Sequence, residues 1–201
     1  MNKKLEEMAG VSLFCGAGGL DLGFEQEGFH VAWCNDMFEA ACQTHKLWSK
    51  ATVVRKDITK IDESEVPDAD FMLFGFPCPG FSLAGPRRMD DPRNRLYLEC
   101  VRMVRAKQPT FFVAENVKGL LSMGDGSVIR TVVSDFESCG YDVFYKLLNA
   151  ADYGVPQDRQ RVIIVGLHKG LGFDHEDAFS FPEPYDHKVT LRETIWGKAH
   201  Q

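Results

Sequence analysis

Short apolar runs separated by amphipathic stretches repeat along most of the chain. Five of these runs have the length of a β-strand: 11–14, 30–34, 52–54, 71–76 and 111–114. Their apolar residues do not alternate strictly with polar ones, which is typical of strands covered on both faces of a sheet. The stretches between the runs predict four helices: 20–27, 38–48, 93–107 and 128–137. This alternation predicts an α/β fold in which helices cover both faces of a parallel sheet.

The C-terminal third of the chain has a different pattern. Residues 141–148 and 161–167 predict two strands, and the loop 150–160 between them contains no helix. Strands joined in this way can form an antiparallel pair at the edge of the sheet. From residue 170 onward the chain predicts a loop that closes in a short segment at 190–196. We therefore expect a doubly wound, mostly parallel sheet with one antiparallel edge strand.

The composition, 44% apolar and 26% charged, is that of an ordinary globular protein. No apolar run is long enough to span a bilayer, and the N-terminus lacks the pattern of a secretory signal. The net charge is −6, but residues 76–118 carry a local charge of +4, so the remainder sums to −10. An anionic partner such as nucleic acid would therefore be attracted to this middle segment.

The cysteines indicate a reducing compartment. The six are scattered, without a C-x-x-C pair, at positions 15, 34, 42, 78, 100 and 139. Without a signal peptide, free thiols in the cytoplasm are favoured over a disulfide framework. The spacing also argues against a structural zinc site, so we expect no metal.

A glycine-rich turn follows the first predicted strand and precedes a helix. Gly16 and Gly18 allow a tight turn in which a ligand can approach backbone N–H groups. The pattern is not the dinucleotide fingerprint G-x-G-x-x-G, because Asp21 stands where the third glycine would be. Asp36 and Asp57 close the second and third strands, where a carboxylate can bind ribose hydroxyls. Together these residues predict an adenosine-type ligand, although a glycine turn alone is often only a connection.

Cys78 lies at the carboxyl end of the fourth predicted strand, where open α/β sheets bind their ligands. Two flanking prolines restrict the backbone and so orient the thiol. The irregular segment continues to residue 92 and contains Arg87 and Arg88; segments of this length are often lids or binding loops. The alternative is a buried structural cysteine, which we favour for the other five. For Cys78 this context favours a nucleophile.

Two further polar sites follow later strands. Glu115 comes after the run 111–114, at the same edge of the sheet as Cys78, where partial burial would let it donate a proton. The alternative is a solvated acid near a helix start. Alternation along an extended chain places Gln157, Arg159 and Arg161 on one side, where three donors suit a phosphate or a base carbonyl. Otherwise these arginines form an ordinary surface stripe.

Taken together, these segments resemble the catalytic half of a cytosine carbon-5 DNA methyltransferase. The matching blocks are LFCGAGGLDLGF, GFPCPGFS, DPRNRLY, ENVKGLL and NAADYGVPQDRQR, together with the acids Asp36 and Asp57. They occur in the family's order and cover residues 11–167. The resemblance implies a parallel sheet with one antiparallel strand that binds S-adenosylmethionine over its carboxyl edge, and releases S-adenosylhomocysteine.

The resemblance also assigns roles to residues. Those implied for the cofactor are Phe14, Gly16, Gly18, Asp36, Asp57 and Phe76. Those implied for catalysis on a cytosine flipped out of double-stranded DNA are Cys78, Glu115, Arg161 and Arg159. Cys78 would add to carbon 6, Glu115 would act on N3, and Arg161 would bind O2 with Arg159 in support. The loop 81–92 would close over the DNA, and the residues implied for substrate binding are Ser82, Arg87, Arg88 and Gln157.

The resemblance extends to domain organisation. We expect residues 1–169 to form the cofactor-binding catalytic domain and 170–201 to form a tail leading toward a target-recognition domain that this sequence does not contain. The chain would then be a fragment, or one subunit of a split enzyme whose second subunit carries the recognition domain. On that hypothesis the isolated chain binds the cofactor weakly and cannot select a DNA sequence.

Three alternatives stay open from the sequence. A transfer-RNA cytosine methyltransferase shares the same catalytic blocks. A non-catalytic nucleic-acid-binding module could use the same fold, although Cys78, Glu115 and Arg161 are all present. A nicotinamide-dependent oxidoreductase is opposed by the broken glycine fingerprint and by the cysteine loop.

Overall fold

A computed structural model describes residues 4–77, 96–172 and 179–196 of the protein. Seven strands lie in these ranges: β1 Ala9–Leu13, β2 His30–Asp36, β3 Thr52–Arg55, β4 Phe71–Phe74, β5 Phe111–Val117, β6 Tyr141–Asn149 and β7 Gln160–His168. They form one sheet in the order β3-β2-β1-β4-β5-β7-β6.

The direction of the strands confirms the predicted fold class. Strands β1 to β5 are all parallel to one another. Strand β7 runs antiparallel to both β5 and β6. The predicted antiparallel pair at the edge is therefore present, and β7, which lies one place in from the edge strand β6, is the strand of opposite direction.

Five α-helices belong to the described ranges: α1 Gly19–Gln26, α2 Glu39–Lys46, α3 Tyr97–Lys107, α4 Ser127–Glu137 and α5 Leu191–Trp196. Helices α1 and α2 pack on one face of the sheet, and α3 and α4 pack on the other. Among these ranges, no helix combines the length and the apolar character that crossing a membrane would require.

Strand β4 shows why apolar residues do not alternate with polar ones along the strands. All four of its residues are buried, because successive side chains enter different cores. On the α1 side, the Phe71 ring stacks on Phe24 with ring centroids 5.8 Å apart. On the α4 side, the Phe74 ring stacks on Phe136 at 5.6 Å. A polar residue anywhere in β4 would therefore be buried in one of the two cores.

Several strand ends differ from the prediction for identifiable reasons. Strand β1 ends at Leu13, because Phe14 has a left-handed backbone conformation with φ 53° that does not continue a strand. Strand β5 continues through Glu115 to Val117 instead of ending at residue 114. The cause is tertiary, since Glu115 pairs with Ile163 and Val117 with Arg161 in the β5–β7 ladder. Strand β4 ends two residues before its predicted end.

The tail after β7 packs against strand β6 and the turn that follows it. The Tyr185 N–H donates to the Asp152 carbonyl at 2.8 Å, and the Asp152 carboxylate pairs with Lys188 at 2.9 Å. The Phe179 ring lies 5.8 Å from Phe144 of β6. Residues 179–188 therefore contact the 3-10 turn Ala150–Tyr153 and strand β6.

Candidate active site at the carboxyl edge of the sheet

Two cavities lie at the carboxyl ends of the parallel strands. The larger has a volume of about 520 Å³ and is bounded by residues from β1, β5 and β7. The smaller, of about 210 Å³, lies beyond the ends of β2 and β3. Phe14 and Gly75 line both cavities, so the two spaces share a wall. The carboxyl edge is where open α/β sheets bind ligands.

The turn after β1 forms part of this shared region. Phe14 has φ 53°, a conformation that is uncommon for a residue with a side chain and is found disproportionately at functional sites. Gly16, with φ 56°, donates its N–H to the Asp36 carboxylate at 2.9 Å. The turn is therefore attached to the end of the neighbouring strand β2.

Gly18 allows α1 to begin where it does. Its φ is 88°, and a Cβ built there would overlap the ring of Trp48 and lie 2.9 Å from His45 Nε2. Trp48 also donates its Nε1–H to the Ala17 carbonyl at 3.0 Å. A side chain at position 18 would therefore disturb both the turn and its contact with the residues around α2.

Asp36 and Asp57 line the smaller cavity. Oxygen Oδ1 of Asp36 accepts the Phe38 N–H at 2.8 Å, and Oδ2 accepts the Gly16 N–H. Each oxygen retains a further lone-pair site for a ligand hydroxyl. Hydrogen bonds from the Thr59 hydroxyl at 2.9 Å and its N–H at 3.0 Å lower the pKa of Asp57. Both acids can thus act as hydrogen-bond acceptors toward a ligand.

Several residues of the smaller cavity were not predicted from the sequence. Met37, Phe38 and Lys56 line it together with the two acids. The Phe38 side chain is 68% exposed, which is unusual for a phenylalanine and gives the cavity an accessible aromatic surface. The available signal was its position two residues after Asp36, but the apolar pattern assigned it only to the start of a helix.

Glu115 is held by two arginines in the larger cavity. Its Oε1 lies 2.7 Å from Arg161 Nε and 3.6 Å from Arg159 Nη2. The β5–β7 register produces this arrangement, since Glu115 pairs with Ile163, and Arg161 lies two residues from Ile163 on the same face. Two cationic groups therefore face a carboxyl group whose side chain is 31% exposed.

Two other residues that were predicted for the site lie away from both cavities. Gln157 is exposed and lines neither cavity. Phe76 is 4% exposed, with its ring 6.0 Å from Tyr97 in the α3–α4 core, so its side chain lines neither cavity either. Gly75 and Pro77, on either side of it, line the smaller one.

Asn116 is a positioning residue that the sequence argument passed over. It is 2% exposed, and its Nδ2 donates to the Phe76 carbonyl at 3.1 Å while its Oδ1 accepts the Val117 N–H at 2.9 Å. It therefore fixes the backbone two residues before position 78. The available signal in the sequence was an asparagine directly after Glu115.

Cys78, Ser82, Arg87 and Arg88 lie outside the described residues, so the predictions made for them stay predictions. The chain leading to position 78 passes beside Glu115. A Cβ on Gly75 would lie 3.8 Å from Glu115 Oε2, and Pro77 is in the wall of the smaller cavity.

Comparisons with known proteins found similar sequences and a similar fold. A family model described as C-5 cytosine-specific DNA methylase matches residues 8–200. Two type II methyltransferases, M.BspRI of Lysinibacillus sphaericus and M.FnuDI of Fusobacterium nucleatum, are each 44% identical to the chain. Each match covers 92% of this chain. It covers 51% of M.BspRI and 54% of M.FnuDI. A crystal structure of a prophage-encoded E. coli protein, solved as a proposed DNA modification methyltransferase, is 29% identical with a TM-score of 0.78, over 94% of this chain and 54% of that one. The chain thus spans about half the length of these relatives.

Proposed function

We propose, from the premise that this chain belongs to the family of C-5 cytosine-specific DNA methylases, that it transfers a methyl group from S-adenosylmethionine to carbon 5 of a cytosine in DNA. The observation that carries the proposal is the Glu115 carboxylate paired with Arg161 at 2.7 Å, in a cavity that shares a wall with the acid-lined one. One cavity would hold the base and the other the adenosine of the donor.

The residues of the smaller cavity fit an adenosine. Asp36 would accept hydrogen bonds from the ribose hydroxyls through its remaining lone pairs. Asp57 would accept from the adenine amino group, and the exposed ring of Phe38 offers a surface for the base. The turn containing Phe14, Gly16 and Gly18 would shape the passage between the cavities. S-adenosylmethionine, when bound, supplies an electrophilic methyl group and leaves as S-adenosylhomocysteine.

The target cytosine has to leave the base stack of the duplex, at a cost of a few kcal/mol. The thiolate of Cys78 would then add to carbon 6, which turns the ring into an enamine whose carbon 5 is nucleophilic. Glu115 would hydrogen-bond or protonate N3 and so stabilise the charge created by this addition. Arg161 would bind O2, and Arg159 would support Glu115 from the loop.

The remaining steps restore the aromatic ring. Carbon 5 takes the methyl group, a base removes the carbon 5 proton, and the Cys78 thiolate is eliminated from carbon 6. Ser82, Arg87, Arg88 and Gln157 would contact the DNA, in keeping with the local positive charge of residues 76–118. The location that we propose is the cytoplasm.

Covalent trapping tests this proposal directly. The chain is incubated with S-adenosylmethionine and duplex DNA that carries 5-fluorocytosine in randomised flanking sequence. Because fluorine cannot leave as a proton does, the Cys78 adduct should persist in denaturing gels. Cys78→Ala should abolish the adduct, and the matched control Cys139→Ala, a buried cysteine in the α3–α4 core, should retain it.

Other outcomes would favour the alternatives. An adduct with 5-fluorocytosine RNA but not with DNA would indicate a transfer-RNA methyltransferase. Binding of DNA without any adduct, by a chain that calorimetry shows to bind S-adenosylmethionine, would contradict catalysis by this chain. Binding of NADH in place of S-adenosylmethionine would contradict the proposed donor.

A further inference from the structure

A buried cluster of four chemically reactive side chains lies directly behind the glycine turn. It contains Cys15 of the turn, Asp21 of α1, Cys34 of β2 and His45 of α2. One ligating atom from each residue lies within 4.8 Å of the other three. The proposed methyl transfer uses none of these side chains for chemistry.

The distances within this cluster are near those of a metal coordination sphere. His45 Nδ1 lies 3.4 Å from Cys15 Sγ and 3.5 Å from Cys34 Sγ. His45 Nε2 lies 3.5 Å from Asp21 Oδ2. Tetrahedral zinc, with bonds of about 2.0–2.3 Å, separates its ligand atoms by roughly 3.3–3.8 Å. One ion takes only one ring nitrogen, so Nδ1, which faces both thiols, would be the ligand. The Asp21 carboxylate would have to shift from its place beside Nε2 to reach the same ion.

Asp21 gives independent evidence that the cluster can accept a cation. The residue is 0% exposed, and its Oδ1 accepts the Ser12 hydroxyl at 2.6 Å. Its Oδ2 is buried and has no hydrogen-bond partner within the described part of the chain. Burying such an oxygen is costly, because the His45 Nε2 atom 3.5 Å away makes no hydrogen bond with it.

We propose that Cys15, Cys34, His45 and Asp21 form a binding site for a divalent transition metal of the zinc class. Two thiolates and an imidazole select Zn²⁺ over Mg²⁺ or Ca²⁺, which prefer oxygen ligands. Binding displaces the two thiol protons, and one ring nitrogen of His45 serves as ligand. The Ser12 hydroxyl, bonded to Asp21, orients that carboxylate from outside the coordination sphere.

The position of the site gives it an entry path and a structural consequence. Cys15 and Asp21 both line the larger cavity, from which an ion can reach them. The His45 ring stacks on the Trp48 ring with centroids 4.8 Å apart, and the Trp48 Nε1–H donates a hydrogen bond to the Ala17 carbonyl. A bound metal would therefore fasten the glycine turn to α1, β2 and α2 at once.

This proposal departs from the expectation drawn from cysteine spacing. That expectation looked for pairs of ligands close in sequence, as zinc fingers have. Here the four ligands come from separate elements, and only the packing of α1 and α2 on the same face of the sheet brings them together.

Cobalt titration tests the site without requiring methyl transfer. The reduced, metal-stripped 201-residue chain is titrated with Co²⁺ in the absence of oxygen. We expect one equivalent to bind with the absorption of tetrahedral cobalt and a thiolate-to-metal charge-transfer band, and Zn²⁺ to displace it. A spectrum typical of octahedral cobalt, or no saturable binding, would overturn the proposal.

Two variants and a control make the assignment specific. Cys34→Ala removes a ligand, so its Co²⁺ affinity should fall by more than the roughly 10- to 100-fold that loss of an outer partner causes. Asp21→Asn keeps the size of the side chain and should weaken binding even if Cys34→Ala folds poorly. Cys139→Ala, in the opposite core, should bind as the parent chain does. Equal affinity in a folded Asp21→Asn and in the control would refute the site.

Discussion

The two cavities at the carboxyl edge are held together in different ways. The smaller one lies beyond the ends of β2 and β3, and its acids accept hydrogen bonds from residues two positions later: Asp36 from Phe38, and Asp57 from Thr59. Asp36 also accepts the Gly16 N–H from the turn after β1. The larger one joins strands distant in sequence, and Glu115 is held there by the side chains of Arg161 and Arg159. The comparison indicates that hydrogen bonds, mainly from backbone N–H groups, organise the proposed donor side, whereas side-chain ion pairs organise the proposed reacting side.

Substitution of Glu115 should separate the two cavities most clearly. Glu115→Gln keeps the size of the side chain but removes the charge and the proton-transfer capacity. We expect methyl transfer to fall roughly 100- to 10,000-fold, the usual contribution of acid–base catalysis. Donor affinity should be unchanged, because Glu115 is absent from the wall of the smaller cavity. Labelled-methyl incorporation measures the first quantity and calorimetry the second; a parallel fall in donor affinity would contradict the separation.

Substitution of Asp36 should lower donor affinity, the quantity that Glu115→Gln is expected to leave unchanged. Asp36→Ala removes the acceptor of the Gly16 and Phe38 N–H groups and of the proposed ribose bonds. Loss of hydrogen bonds to a charged group, at about 1.5–3 kcal/mol, corresponds to a fall in donor affinity of roughly 10- to 100-fold. Calorimetric titration with S-adenosylmethionine measures it.

Asp36→Asn serves as the matched control, since it keeps one acceptor oxygen and should lie between the parent and the alanine variant. Equal donor affinity in all three proteins would show that Asp36 organises the turn without contacting the donor. A loss confined to the thermal stability of the variants would show the same.

The sequence indicated where the acids of the smaller cavity lie, but not the ion pair of the larger one. Strand ends, glycine turns and the acids that follow them are local features, so Gly16, Asp36 and Asp57 could be located from their position in the pattern. The ion pair of Glu115 with Arg161 depends on the β5–β7 register. Both residues were identified, but the direct contact between them and the extension of β5 to Val117 were not predicted.

Residues whose environment is set by packing alone escaped prediction. Phe38 has the pattern of a helix residue and yet is exposed beside a cavity. Asn116 had no predicted role, and it is buried in β5 with its Nδ2 donating to the Phe76 carbonyl. The cluster of Cys15 and His45 has no signal at any sequence spacing, because it depends on how two helices pack on the sheet.

A smaller effect, on the pKa of Asp57, should follow from removing one of the hydrogen bonds to this acid of the smaller cavity. Thr59→Ala removes one of the two hydrogen bonds that lower the pKa of Asp57, so that pKa should move up toward its ordinary value. A lowered pKa in the folded state stabilises the protein above the ordinary carboxyl pKa, and this stabilisation is lost as the pH falls through the lowered value. The variant should therefore lose less stability on acidification than the parent, by a small amount because Asp57 is only partly buried.

Carbon NMR titration of the carboxyl groups measures this shift at the residue itself. Ser64→Ala is the matched control, since the Ser64 hydroxyl and N–H hold Asp62 in the same way and their loss should leave Asp57 unaffected. If the titration of Asp57 is the same in Thr59→Ala as in the parent, local hydrogen bonds do not govern this acid. The contrast between a hydrogen-bonded donor side and an ion-paired reacting side would then rest on Asp36 alone.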